Sequence, residues 1–226
     1  MKNLKEAVNL IFSNTGIAFK IFVIVLIGTV LEYVLNQLGM IGSLLSIIVS
    51  FYMVVLIGYL LNVLLVEKRD LGVQTCFTQS FELIKSSWTK IAVAFLKAFG
   101  IGFIIILIAT GFVMQIVNST PNIQSLIMGT DQITFTPNTS FMLFISAIMI
   151  FAAYLFEFVI FMAYYKVYGY ILGNDNIRAK RKDCIFMSLI ILVGYIPFVG
   201  GILRIFILFL FELKILLDVK EVIAEK

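Results

Sequence analysis

The stretch LLSIIVSFYMVVLIGYLLNVLLV, residues 44–66, contains no aspartate, glutamate, lysine or arginine. As an α-helix it would be about 34 Å long, which matches the roughly 30 Å hydrocarbon core of a bilayer. A helix satisfies its own backbone hydrogen bonds, and for that reason it can cross lipid. The stretch therefore predicts a membrane-spanning helix, which ends at the polar cluster Glu67-Lys68-Arg69-Asp70.

The rest of the chain shares this apolar character. Of the 226 residues, 62% are hydrophobic and 13% are charged, and a soluble domain of this size could not bury so much apolar surface. The chain has no histidine, which argues against histidine-dependent hydrolases and most zinc or haem sites. Cys76 and Cys184 suggest neither a disulfide framework nor a metal motif. We expect an all-α, polytopic integral membrane helical bundle with no cofactor and no metal.

About six transmembrane helices account for the apolar runs. They are predicted at residues 17–38, 44–66, 91–117 and 141–168, with the last two in the stretch 184–217. As one continuous helix that last stretch would be about 50 Å long, too long for a single crossing. Because Pro197 and Gly200-Gly201 interrupt it, we predict a hairpin there. A tilted or half-membrane hairpin is one alternative, and a single bent helix, with five spans in all, is the other.

Short amphipathic helices are predicted at the cytoplasmic surface. One covers residues 3–14, and another precedes the third span, where an apolar residue recurs every three or four positions: Phe77, Phe81, Ile84 and Trp88. The chain then reads as a single transmembrane domain, residues 1–226, built of hairpin-like units at about 1–66, 67–172 and 173–226.

The distribution of lysine and arginine predicts the orientation. With a cytoplasmic N-terminus and six spans, Arg204 is the one cation of seventeen that falls outside, and the polar loop 118–140 carries none. We therefore predict a multi-pass protein of the cell membrane with both termini in the cytoplasm.

A basic cytoplasmic surface is predicted in the loop before the last hairpin, at Arg178, Lys180, Arg181 and Lys182. The net charge of +4 favours anionic lipids of the bilayer, and not nucleic acid, as a partner. A protein partner at the same cytoplasmic face is the alternative.

Charged residues inside the predicted spans are the candidates for an intramembrane polar site. Glu157 lies near the middle of the fourth span, and such a carboxylate usually faces a bundle interior or a cavity. It is either a proton or cation site or a neutral glutamate that holds helices together. Glu32 and Arg204 both fall in the outer part of the bundle and are predicted to form an ion pair. Lys214 is expected to snorkel to the interface, with Asp218 at i,i+4.

Motifs for catalysis are missing from the sequence. There is no GxxxxGK[ST], HExxH or GxSxG pattern, and no acid–base group can be assembled. We expect no enzyme and no catalytic residue. Two hypotheses remain open: a non-enzymatic membrane protein that binds a partner or lipid at the cytoplasmic face, and a transport component. The latter would be a permease or substrate-binding subunit that works with a separate ATPase.

Two local features suggest a family. ELIKSSWTKIAVAF, residues 82–95, carries an amphipathic helix into a span, and IPFVGG, residues 196–201, forms a late turn. In these features the chain resembles a loose group of uncharacterised prokaryotic six-helix membrane proteins, including the membrane domain of some glycerophosphodiester phosphodiesterases. The resemblance implies a six-helix fold over most of the chain and implies no catalytic residue.

Overall fold

The computed structural model of the protein describes residues 2–69, 71–118, 139–195 and 200–225. Within these ranges the chain is all-α, as predicted. Its seven helices are α1 (Lys2–Ser13), α2 (Thr15–Asn36), α3 (Gly39–Leu60), α4 (Val73–Asn118), α5 (Thr139–Ile171), α6 (Arg181–Ile191) and α7 (Gly200–Ala224). A π-helical turn, Leu61–Val66, continues α3, and a 3-10 turn, Leu192–Tyr195, continues α6.

Four helices are long and apolar enough to cross a membrane: Thr15–Asn36, Gly39–Val66, Val73–Ile116 and Met142–Ile171. They indicate a multi-pass membrane protein in contact with the bilayer. The described residues give four such helices where six spans were predicted. The difference lies in the last hairpin, because α6 has only 11 residues and α7 carries Arg204, Glu212 and Lys214.

The turn between α2 and α3 depends on glycine. Gly39 has a φ of +73°, a left-handed conformation that glycine adopts without steric cost. The chain therefore reverses over Gln37, Leu38 and Gly39 and places α3 back against α2.

Helix α4 joins two predicted elements. The amphipathic segment and the third span form one helix of 46 residues, which corresponds to about 69 Å. Its charged residues all precede residue 98, and its second half is uncharged. It packs along α5. Most of the predicted polar loop between these helices, residues 119–138, lies outside the described residues.

The last two helices are brought together at their connected ends. A Cβ built on Gly200 would lie 2.5 Å from the carbonyl oxygen of Gly194, and one on Gly194 would meet the Arg204 side chain at 2.8 Å. The start of α7 therefore lies directly against the turn that follows α6, as a hairpin requires. Pro197, the centre of the predicted turn, lies outside the described residues.

The buried residues are concentrated at one end of the bundle. They come from the second halves of α3, α5 and α7, around residues 51–65, 160–168 and 209–219. Helix α1 packs on α7 there, so the first and last helices share this end, which we call the charged end. At the opposite end large apolar side chains are exposed, such as Met40 (82%) and Leu143 (66%). A surface of this kind is suited to lipid and not to water.

Candidate functional site

An ion pair joins α5 and α7 in the interior of the bundle. The guanidinium of Arg204 donates to the carboxylate of Glu157. The Glu157 side chain is only 3% exposed, while that of Arg204 is 37% exposed. The structure thus brings together two of the three residues that the sequence singled out inside the spans. It also provides a partner for the one cation that the charge rule left on the outer side.

Glu32, the third of these residues, lies near the Ser50 hydroxyl of α3. The ion pair that the structure shows for Arg204 is with Glu157. The predicted pair between Glu32 and Arg204 stays a prediction. All three residues nevertheless lie within electrostatic reach of one side chain, the half-buried Tyr164.

Sequence reasoning missed a further member of this group. Glu212 of α7 is 5% exposed and also acts on the Tyr164 hydroxyl. We call Glu32, Glu157, Tyr164, Arg204 and Glu212 the inner cluster. The signal in the sequence is a glutamate within the apolar run ILFLFELKILL, residues 207–217.

The composition of the inner cluster limits its chemistry. The Arg204 guanidinium pairs with Glu157, and a carboxylate inside a membrane protein is usually paired, protonated or part of an ion pathway. In the described ranges, no group of three histidine, cysteine, aspartate or glutamate side chains is arranged to hold a metal ion. A buried ion pair between two helices suits proton or cation handling, or the joining of helices.

A second polar group lies at the charged end. The ammonium of Lys214 donates to Asp183 and to Asp218, both at 2.6 Å. Lys214 and Asp218 are each only 2% exposed. The predicted i,i+4 contact of Lys214 with Asp218 is therefore confirmed, but the ammonium is enclosed by two carboxylates inside the protein and is not exposed.

Asp218 is the centre of this group. Its carboxylate accepts hydrogen bonds from Asn3 Nδ2 at 2.7 Å, Tyr165 Oη at 2.5 Å and Lys180 Nζ at 3.2 Å, besides that from Lys214. These donors come from α1, α5 and the segment before α6. The bonds therefore tie the first helix and the basic loop to the last helix.

The end of α3 joins the same group through α7. Lys220 donates to Asn62 Oδ1 at 3.0 Å and lies 3.5 Å from a Glu67 carboxylate oxygen, and Asn62 donates to Glu67 at 2.9 Å. Asn62 lies in the π-helical turn. We use the term ionic network for the residues around Asp218 together with those at the end of α3: Asn3, Asn62, Glu67, Tyr165, Lys180, Asp183, Lys214, Asp218, Lys220 and Glu221.

The ionic network is expected to weaken in acid. Burial opposes the charged form of Asp218, but hydrogen bonds from Lys214 and Tyr165 outweigh it and lower the pKa of Asp218 below its usual value. A lowered carboxyl pKa contributes stability above the unfolded-state pKa of about 4 and loses it as the pH falls through the folded-state value. The melting temperature in detergent should therefore drop below about pH 4. Asp218→Asn should show a shallower drop, and an equal drop would contradict this role.

The predicted basic surface is divided by the structure. Arg178, Arg181 and Lys182 are exposed, so their charges face outward. Lys180 instead pairs with Asp218 at 3.2 Å and with Glu221 at 3.1 Å. Three of the four cations are therefore available to a partner, and the fourth holds the loop in place.

Both cysteines are buried, so neither is presented at the surface of the charged end. Cys184 directly follows Asp183, a partner of Lys214. We expect a maleimide to label Cys184 slowly in a Cys76→Ser background until the protein is unfolded. The control is Lys182→Cys in a chain without the native cysteines, since position 182 is exposed. Equal labelling rates at positions 182 and 184 would show that this region opens freely.

Comparison with protein-family models, with curated proteins and with solved structures finds no match to the chain. The resemblance to six-helix prokaryotic membrane proteins therefore stays a prediction. What the polar groups do has to be inferred from their own chemistry.

Proposed function

We propose that the chain is a non-enzymatic multi-pass membrane protein whose charged end binds anionic lipid headgroups. The observation that carries this proposal is the exposure of Arg178, Arg181 and Lys182 on a loop that Lys180 ties to buried Asp218. The cations are thereby held in one place, and each cation near an anionic surface contributes about 1 kcal/mol to attraction.

The proposed membrane topology places the charged end in the cytoplasm. The first and last helices meet there through Asn3 and Asp218, which agrees with an even number of crossings. The lysine and arginine bias assigns that end to the cytoplasm. We propose six crossings, with α6 and α7 as a hairpin that enters from the charged end.

The test is lipid retention in native mass spectrometry, with phosphatidylglycerol and phosphatidylcholine supplied in equal amounts. In the variant Arg178→Gln/Arg181→Gln/Lys182→Gln, preference for phosphatidylglycerol should fall on the order of tenfold or more. The matched control Lys5→Gln/Lys20→Gln/Lys97→Gln removes the same charge from exposed positions elsewhere and should keep the preference.

Two results would count against lipid binding at this surface. Equal losses in the two triple variants would show a general effect of charge. An unchanged lipid preference, combined with loss of a co-purifying protein from the first variant, would show that the surface serves a protein partner instead.

The inner cluster favours a second candidate, a transport component that works with a separate ATPase. A buried Glu157 paired with Arg204 is the kind of intramembrane charge that marks substrate or ion pathways. Native mass spectrometry of the protein extracted gently from its membrane is the test. An ATPase at fixed stoichiometry would favour transport, and a protein that carries only anionic lipid would argue against it.

A further inference from the structure

A large apolar groove lies between α2, α3 and the first half of α4. Its volume is about 900 Å³, near the upper end of the roughly 300–1,000 Å³ range of ligand pockets. The walls are formed by aliphatic side chains of α2 and α3, such as Ile27 and Ile48, and by Phe77 and Phe81 of α4. Several of these side chains are exposed, so the groove is open on one side.

The groove has a polar edge on α4. Lys85 is the one charged residue that lines it within the described part of the chain, and Trp88 lies one helical turn away. Lys85 is exposed and forms no ion pair with the residues that the structure describes. Both residues lie in the charged half of α4, which precedes the uncharged half that begins after Lys97.

These positions place the groove along the depth of a bilayer leaflet. Its α2 and α3 walls belong to two of the candidate spans, so they meet acyl chains. Lys85 and Trp88 lie in the charged half of α4, which precedes its uncharged half. Tryptophan prefers the headgroup level of a membrane, and a lysine there attracts phosphate.

We propose that this groove binds one anionic phospholipid, whose acyl chains lie against the apolar walls and whose phosphate faces the Lys85 ammonium. A soluble polar ligand does not fit walls of this kind, and the bilayer supplies phospholipid in excess. The proposal needs only the membrane placement and uses none of the residues of the basic surface. Its failure would therefore leave the proposed function standing.

Trp88 provides the test, because it is the single tryptophan of the chain. The purified protein is reconstituted into phosphatidylcholine vesicles that contain a small fraction of phospholipid with brominated acyl chains, which quench indole fluorescence. At equal bromine content, brominated phosphatidylglycerol should quench Trp88 about fivefold more effectively than brominated phosphatidylcholine.

Substitutions at Lys85 show whether the preference belongs to the groove. Lys85→Gln should remove it and Lys85→Arg should keep it. Lys97→Gln is the matched control, since Lys97 is exposed on the same helix and does not line the groove. Circular dichroism and elution volume confirm that each variant is folded.

Three outcomes would overturn the proposal. Equal quenching by the two brominated lipids would mean that Trp88 meets only bulk lipid. No quenching by either would mean that a protein segment, from a partner or a second copy of the chain, covers the groove. Equal loss of preference in Lys85→Gln and Lys97→Gln would mean that the overall charge, and not the groove, selects the lipid.

Discussion

Replacing Lys214 with methionine is expected to destabilise the protein by about 3–5 kcal/mol, the usual range when one partner of a buried ion pair is removed. Methionine keeps the length and apolar character of the side chain, so the loss reports the ammonium. Asp218 would remain 2% exposed with one cation fewer beside it, and Asp183 would lose its partner. The free energy of unfolding, measured in mixed detergent micelles with increasing SDS, gives the change.

The matched controls separate charge from burial. Lys2→Met also removes a lysine from a carboxylate, that of Glu221 at 3.6 Å, but the Lys2 side chain is 83% exposed. Water and salt screen such a pair, so Lys2→Met should leave stability nearly unchanged. Lys214→Met/Asp218→Asn should recover part of the loss, because both charges are then gone. If Lys214→Met is as stable as Lys2→Met, the ionic network is not what holds the charged end.

Reversing Glu157 to arginine is expected to have the second large effect. The change would set two guanidinium groups together in the interior of the bundle, where unpaired charge is most costly. We expect a loss of at least about 3 kcal/mol or failure to recover folded protein. Arg204→Glu should be damaged in the same way, whereas the swap Glu157→Arg/Arg204→Glu should regain much of the stability.

The same set of variants tests the pair predicted from the sequence. Glu32→Arg/Arg204→Glu is the alternative swap, because Glu32 and Arg204 both lie within electrostatic reach of Tyr164. Rescue by the Glu157 swap alone would assign the pair to Glu157. Rescue by the Glu32 swap alone would contradict the observed contact, and a failure of both would show that Arg204 is held by other interactions. Fluorescence-detected size exclusion measures the folded fraction of each variant.

The inner cluster and the ionic network share two helices. Helices α5 and α7 supply Glu157, Tyr165, Arg204 and Asp218, so each polar group fixes the same two helices at a different depth. A carboxylate that is buried away from water needs a hydrogen-bond donor or a proton. A donor on a neighbouring helix constrains where that helix lies. Apolar helix surfaces pack with little specificity in lipid. Polar contacts at two depths therefore give α5 and α7 a defined arrangement.

Sequence alone could predict the helices because their signal is local. An uncharged run such as residues 44–66 is long enough to cross lipid whatever surrounds it, and the reversal at Gly39 depends on one residue. Likewise the burial of Glu157 follows from the apolar residues on either side of it. The prediction of six spans rests on the same local signal, and within the described residues four helices are long and apolar enough to cross a membrane. The last stretch, residues 184–217, is apolar on average. The length of α6, and the charged residues that fall within α7, depend on where each helix begins and ends.

What the sequence by itself determined about this protein is therefore its class: an all-α chain with apolar helices long enough to cross a membrane. Only the tertiary structure decided which charges meet across helices. Arg204 pairs with Glu157, 47 positions earlier in the chain, and Asn3 reaches Asp218 across 215 positions. Such partners are chosen by the packing of whole helices, and a charge in an apolar run shows only that a partner is needed. For the same reason Lys214 is buried rather than snorkelled, because Asp183 comes to it from another helix.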